Sequence, residues 1–157
     1  MAKIRHKIKM SLDNIDDVIQ DLMDYKAWIE MKCAVLVERL CDRGVEIAKG
    51  LCPVDTGDLR DSIHSLAEGL AGQIIASSGH AAYVEFGTGI VGAYSPHPTL
   101  PWIYDINGHD INGWVYYKND RFYWTAGQPA KPFMHNTAKQ LAKEAPKIAK
   151  EVFSEKH

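Results

Sequence analysis

Between Ile15 and Leu51, apolar side chains return at helical spacing along almost the whole run, and Pro53 closes it. Ile15, Val18, Ile19 and Leu22 open the stripe, and Ile29, Cys33, Leu36, Val37, Leu40, Gly44, Ile47, Ala48 and Leu51 continue it in phase. A repeat of about 100° per residue turns one face of an α-helix toward a core. Lys26 interrupts the stripe, so the spacing predicts one long helix or two, with a break near Asp24–Lys26 favoured. Asp13 stands where an N-cap is needed, with Asp16 at the third position. A helix must end close to a proline. Trp28, Met31 and Val35 make a second apolar stripe on the opposite face, where Glu38, Asp42 and Glu46 follow later. A helix that is apolar on two sides needs two partners, either a second internal element or a neighbouring subunit.

Ahead of this segment, residues 2–10 alternate between Ile4, Ile8 and Met10 on one side and Lys3, Arg5, Lys7 and Lys9 on the other. Period two with one apolar face predicts a half-buried strand with a basic outer face. After Pro53, the stretch from Val54 to Ser62 is rich in turn residues. Asp55 is placed to accept from backbone N–H groups just beyond it, and Gly57 can take a positive φ. Residues 63–68, 73–77 and 82–86 then read as three short strands. In the third, Val84 and Phe86 share one face and Tyr83 and Glu85 the other. Residues 89–113 carry Pro96, Pro98 and Pro101 and read as a long irregular loop of the kind that is usually functional. Trp114–Tyr117 and Arg121–Thr125 predict a hairpin around Asn119-Asp120. Pro132 opens a last helix with Met134, Ala138, Leu141, Ala145, Ile148 and Val152 on its apolar side, and Pro146 should kink or break it. Strand, helix, short strands and helix in this order predict one α+β domain over residues 1–157. It would be an antiparallel sheet packed by a long N-terminal and a C-terminal helix.

The chemistry-bearing residues do not assemble into a recognisable catalytic pattern. There is no Gly-x-Ser-x-Gly or phosphate loop, and no two histidines stand four residues apart. Cys33, Cys41 and Cys52 fit no zinc spacing and read as reduced thiols, the first two on an apolar helix. Asp105-Ile106-Asn107-Gly108 and Asp110-Ile111-Asn112-Gly113 repeat with oxygen-bearing side chains. The run lacks the glutamate that closes a calcium loop, so two Asn-Gly turns are expected. No catalytic residue, cofactor or metal ligand is therefore assigned. A formal charge of -2 gives no reason to expect a dedicated nucleic-acid binder, for which a basic domain is usual. The charge is nonetheless patterned. Lysines and Arg5 crowd the start, Asp13, Asp16, Asp17, Asp21 and Asp24 follow, and Lys139, Lys143, Lys147 and Lys150 line the last helix. Residues 1–12 lack the apolar run of a secretory signal, and the uncharged stretches are too broken for a membrane span.

Three segments taken in order carry a family resemblance. They are Pro53-Val54-Asp55-Thr56-Gly57-Asp58-Leu59-Arg60-Asp61-Ser62-Ile63, then Tyr83-Val84-Glu85-Phe86-Gly87-Thr88, then Gly127-Gln128-Pro129-Ala130-Lys131-Pro132-Phe133-Met134. With the helices around them, over roughly residues 12–152, they resemble the tail-component or head–tail joining family of long-tailed bacteriophages. The resemblance implies an α+β fold, no catalytic activity, and a homo-oligomeric ring at the neck of the virion with six-fold symmetry. The ring would contact a head connector or stopper and a tail terminator or tail tube, after assembly in the host cytoplasm. A tail terminator or another minor tail or capsid protein is the alternative, and a nucleic-acid-binding module a remote one. Within this reading Pro53, Asp55, Thr56, Gly57, Arg60, Glu85, Phe86, Gly87, Pro132 and Phe133 are structural, with Arg60 the expected partner of Glu85. Trp28, Met31, Val35, Tyr94, Trp102 and Tyr104 are candidate subunit contacts. The lysines of the last helix, and Lys3, Arg5, Lys7 and Lys9, are candidates to face DNA in the lumen or a partner.

Overall fold

The computed structural model describes residues 15–98 and 112–154. The first strand, the Asp13 cap, Trp102, Tyr104 and the Asp-Ile-Asn-Gly repeat up to Ile111 fall outside them. The described elements are α1 (Ile15–Leu51), α2 (Asp58–Asp61), β1 (Ile63–Glu68), β2 (Ala71–Ala76), α3 (Ala81–Phe86), α4 (Gly89–Tyr94), β3 (Trp114–Lys118), β4 (Arg121–Thr125), β5 (Gly127–Gln128) and α5 (Phe133–Ser154). The class is α+β, with a long N-terminal helix, a C-terminal helix and two small antiparallel sheets.

The expected break near Asp24 is absent: α1 is one helix of 37 residues, roughly 55 Å long. The lapse in the apolar stripe changes what the helix can pack against, and it leaves the backbone ladder intact. Contacts one turn apart bridge the lapse, from Gln20 to Asp24 at 2.8 Å and from Lys26 to Glu30 at 3.7 Å. Pro53 stops the helix where expected, after Cys52 has donated to the Ala48 carbonyl. In the turn beyond, Gly57 takes φ 99°. Thr56 rather than Asp55 ties the turn, its hydroxyl donating to Asp58 Oδ2 at 2.8 Å and accepting from the Asp58 amide at 3.4 Å. Asp55 instead pairs with Lys118 on the far hairpin.

Strands β1 and β2 pair from Ile63↔Ala76 to Glu68↔Ala71 and lie against α1. The core forms where α1, β1 and the start of α5 meet. Ala48, Cys52, Ile63 and Phe133 are buried there, with Val45, Leu59, Ile74, Val84 and Met134 packed around them. Gly44 allows the close approach. A Cβ at that position would stand 2.1 Å from Ile74 Cδ1 and 3.2 Å from Leu141 Cδ2. Arg43 fastens the same level of α1 to α5 with two contacts to Glu144, at 2.7 and 3.3 Å.

The second hairpin, β3–β4, follows the expectation closely. Asn119 and Asp120 take φ 51° and 58°, the paired positive values of a tight hairpin turn. It shares no sheet with β1 and β2, so the single sheet expected from the strand pattern is two separate ribbons. Two further expectations are corrected. Residues 81–86 are the helix α3 rather than a third strand. On a strand Val84 and Glu85 would point to opposite faces, whereas on a helix both can turn toward α5. The irregular excursion from residue 89 begins as α4, which stops at Ser95, just before Pro96. α5 runs unbroken through Pro146, which lies on its exposed side where water can serve the carbonyl that loses its donor. No described helix is long and apolar enough to cross a membrane.

Candidate functional site

The three segments that carry the resemblance converge in space. Glu85 is the hinge of the convergence. Its carboxylate is buried and accepts from the Met134 and His135 amides, both at 2.9 Å. These are orphan N–H groups in the first turn of α5, at the positive end of the helix dipole, so a residue of α3 caps a helix 49 residues away. His97 Nε2 lies 3.1 Å from Glu85 Oε1, and its ring stands edge-on to His135 at 5.2 Å. Arg60, the expected partner, bonds to Asp61 at 3.4 Å instead. Arg60 is exposed on α2, while Glu85 faces inward and already has two amide donors and the His97 ring beside it. A buried carboxylate is stable only when its oxygens are served in this way.

Backbone bonds complete the junction. Lys131 donates to the Val84 carbonyl at 2.8 Å, and Gln128 donates to Thr88 Oγ1 at 3.2 Å. Gly87, at φ 82°, lets the two segments touch, because a Cβ there would stand 2.7 Å from the Ala130 nitrogen. Leu59 and Ile63 bring the first segment into the same core as Phe133, which anchors α5 as expected. The Pro53–Leu59 turn, Tyr83, Gln128 and the inner side of β3 border a groove of about 920 Å³. The Asp55–Lys118 pair spans that groove, and its hydrogen bond raises the Lys118 ammonium above its ordinary pKa.

Outside this junction several large apolar side chains are exposed. On β3–β4, Phe122 is 77% and Trp124 66% exposed, and Val115 and Tyr117 also stand out. Tyr116 stacks on Tyr123 at 5.5 Å, and Tyr117 tilts on Phe122 at 5.1 Å, so the ribbon carries aromatic pairs on both faces. A lone two-stranded ribbon is marginal in water, and contiguous exposed apolar surface on a small domain marks an interaction site. The N-terminal turns of α1 are similar, with Leu22 52% and Met23 61% exposed.

Among the sequence candidates, Met31 and Tyr94 are exposed and Val35 is half-buried. Trp28 stacks on Tyr25 at 5.8 Å and meets the edge of Phe153 at 6.1 Å, so the second stripe of α1 is partly covered by its own α5. Lys139, Lys143, Lys147 and Lys150 are all exposed along α5, with Lys147 3.9 Å from Glu151. The hairpin aromatics escaped the sequence reading because alternation usually marks one buried face, and here neither face is buried. His97 and His135 escaped it because nothing in their spacing relates them to Glu85. The three cysteines are free, and burial pushes the Cys41 and Cys52 thiols up. Among the described residues no three His, Cys, Asp or Glu side chains are placed to hold a metal. No family model, curated protein or solved structure matches this chain.

Proposed function

We propose that this chain is a structural subunit of the head–tail junction of a long-tailed bacteriophage, acting by assembly into a ring around the path of the DNA. The virion reading comes from the ordered trio of segments described above, and their convergence on the Glu85 junction supports treating them as one unit. The observation that carries the assembly reading is the exposure of large apolar side chains on α1 and β3–β4 beside a small core. Fully burying one such side chain contributes about 1.5–3 kcal/mol. Several of them together supply what an association needs after its entropy cost.

In this reading the chain breaks and makes no covalent bonds. The packed centre at Ile63 and Phe133 holds the shape of a subunit, and the projecting elements are closed by neighbours. Lysines along α5 are available to a nucleic-acid or protein partner and would make contacts sensitive to salt. Electron microscopy of particles produced without this chain tests the role. Filled heads and finished tails lying apart are expected. Joined and infectious particles would overturn it.

A further inference from the structure

Two parts of this chain are incomplete in complementary ways. β3–β4 is a ribbon of two strands, and among the described residues neither of its edges is paired. By register Val115, Tyr117, Phe122 and Trp124 share its outer face, and all four are 60% or more exposed. β1–β2 lies against α1, whereas no described helix packs on that outer face. A two-stranded ribbon needs a third strand or a packed helix to be stable in water. Residues 2–10 present the reverse case. Their alternation of Ile4, Ile8 and Met10 with Lys3, Arg5, Lys7 and Lys9 predicts a strand. The backbone N–H and C=O groups of a strand need a neighbouring strand.

The length of α1 keeps these two parts of one chain apart. Lys118, at the turn of the ribbon, pairs with Asp55, just past the end of α1. The other end of the ribbon, at Trp114 and Thr125, borders the same groove as Pro53 and Leu59. α1 is one unbroken helix of 37 residues, so Ile15 stands roughly 55 Å from that end. Residues 11–14 link the alternating stretch to α1. Fully extended, the chain from Ile15 back to His6, the middle of the stretch, covers at most about 32 Å. The β1–β2 pair of the same chain is no substitute. Its Gly72 lies at Val37 and Cys41, roughly 33 Å or more from Ile15, within reach of only the first few residues of the stretch. The ribbon of another copy has no such limit.

We propose that residues 2–10 of one copy add as a third strand to β3–β4 of a second copy. Ile4, Ile8 and Met10 then extend the outer face of the ribbon. The basic side turns to the groove face, where Asp55 and Asp58 stand. Main-chain hydrogen bonds supply the attachment, and the alternation of apolar and basic side chains sets the register. Giving and receiving elements differ, so each copy uses both, and the contact is heterologous, the kind that generates rings or filaments. This proposal rests on the self-assembly reading above and names the elements it uses.

The test follows the mass of the full chain by light scattering across concentration. Wild-type chain should assemble. Lys7→Pro with Ile8→Pro disables the giving stretch. The N–H groups of adjacent strand residues point to opposite edges, so one ladder donor is lost in either register. Phe122→Ser with Trp124→Ser strips the receiving face, where both side chains are exposed and outside the core. Each pair of changes should weaken assembly on the order of tenfold or more, with helix content by circular dichroism unchanged. Mixing the two variants is the decisive arm. Each still offers one intact element, so the mixture should form pairs and stop there, while either variant alone stays monomeric. A peptide of residues 2–10 should compete with wild-type assembly, and the same peptide with the two prolines should not, a readout that needs no variant to fold. A mixture that stays monomeric, or a wild-type peptide without effect, would overturn the proposal. Assembly that neither pair of changes weakens would overturn it and leave the ring reading standing. Wild-type chain that stays monomeric would also overturn it, with the particle micrographs then deciding the ring reading separately.

Discussion

The two ends of α1 share one helical period and meet different surroundings. From Cys41 to Ala48 the helix is clamped between β1–β2 and α5, with Cys41, Gly44, Ile47 and Ala48 buried. From Ile15 to Asp24 the same kind of stripe stands in the open. Periodicity therefore identifies which side of a helix is apolar, and it is silent about which element covers that side. The difference between the ends lies in the side chains on and around the stripe. The later turns have Gly44 and Ala48, small enough to let neighbours close in, and Arg43 to fasten them. The first turns have Asp16, Asp17, Asp21 and Asp24, which suit water or a basic partner.

The sharpest break of that comparison comes at Gly44. Gly44→Val would force a branched side chain into the space of Ile74 and Leu141. It should cost about 3 kcal/mol, read as a fall in the denaturant midpoint of the monomer. A midpoint shift within error would mean that the clamp is loose. Next comes the Glu85 junction that sets the start of α5. Glu85→Ala strips two amides of their acceptor and leaves His97 without its carboxylate. A loss of about 2 kcal/mol is expected, measured by urea unfolding, with Arg60→Ala nearly silent because Arg60 is not the partner.

The α1–α5 clamp also carries a pH signature. Its hydrogen bonds to the Arg43 guanidinium hold the Glu144 carboxyl below the usual carboxylate range. A depressed carboxylate contributes stability that is present above its unfolded pKa and disappears as pH falls through the folded value. Acid titration of unfolding free energy should therefore show a steeper decline for wild-type than for Glu144→Gln. Parallel curves would remove the clamp from the account. The smallest expected effect is at the other end of the helix. Ile19→Ser in the first turns of α1 should change monomer stability by less than about 0.5 kcal/mol, since nothing described packs on it. A large loss in thermal denaturation of the monomer would show that these turns are part of the core.

Much of the frame was legible in the residues. The stripe ending at Pro53, the Asn119-Asp120 turn and the Phe133 anchor rest on local rules, and each appears where the pattern put it. What failed depends on partners distant in sequence. The stretch from Ala81 to Phe86 alternates like a strand, yet it folds as a helix because Val84 must reach the core while Glu85 reaches the start of α5. The Arg60–Glu85 pairing failed for the same reason, since the helix amides that serve Glu85 carry no sequence mark. The split into two ribbons was equally invisible, as strand spacing does not say which strands share an edge.

Hydrogen exchange of the full chain at low and high protein concentration compares the two ends of α1 in one experiment. Amides of residues 41–48 should be protected at both concentrations, because their own chain covers them. Amides of residues 15–24 should exchange fast when dilute and slow markedly when concentrated, as neighbours in the assembly cover them. Equal exchange of that segment at both concentrations, with the mass of the chain unchanged, would contradict the account.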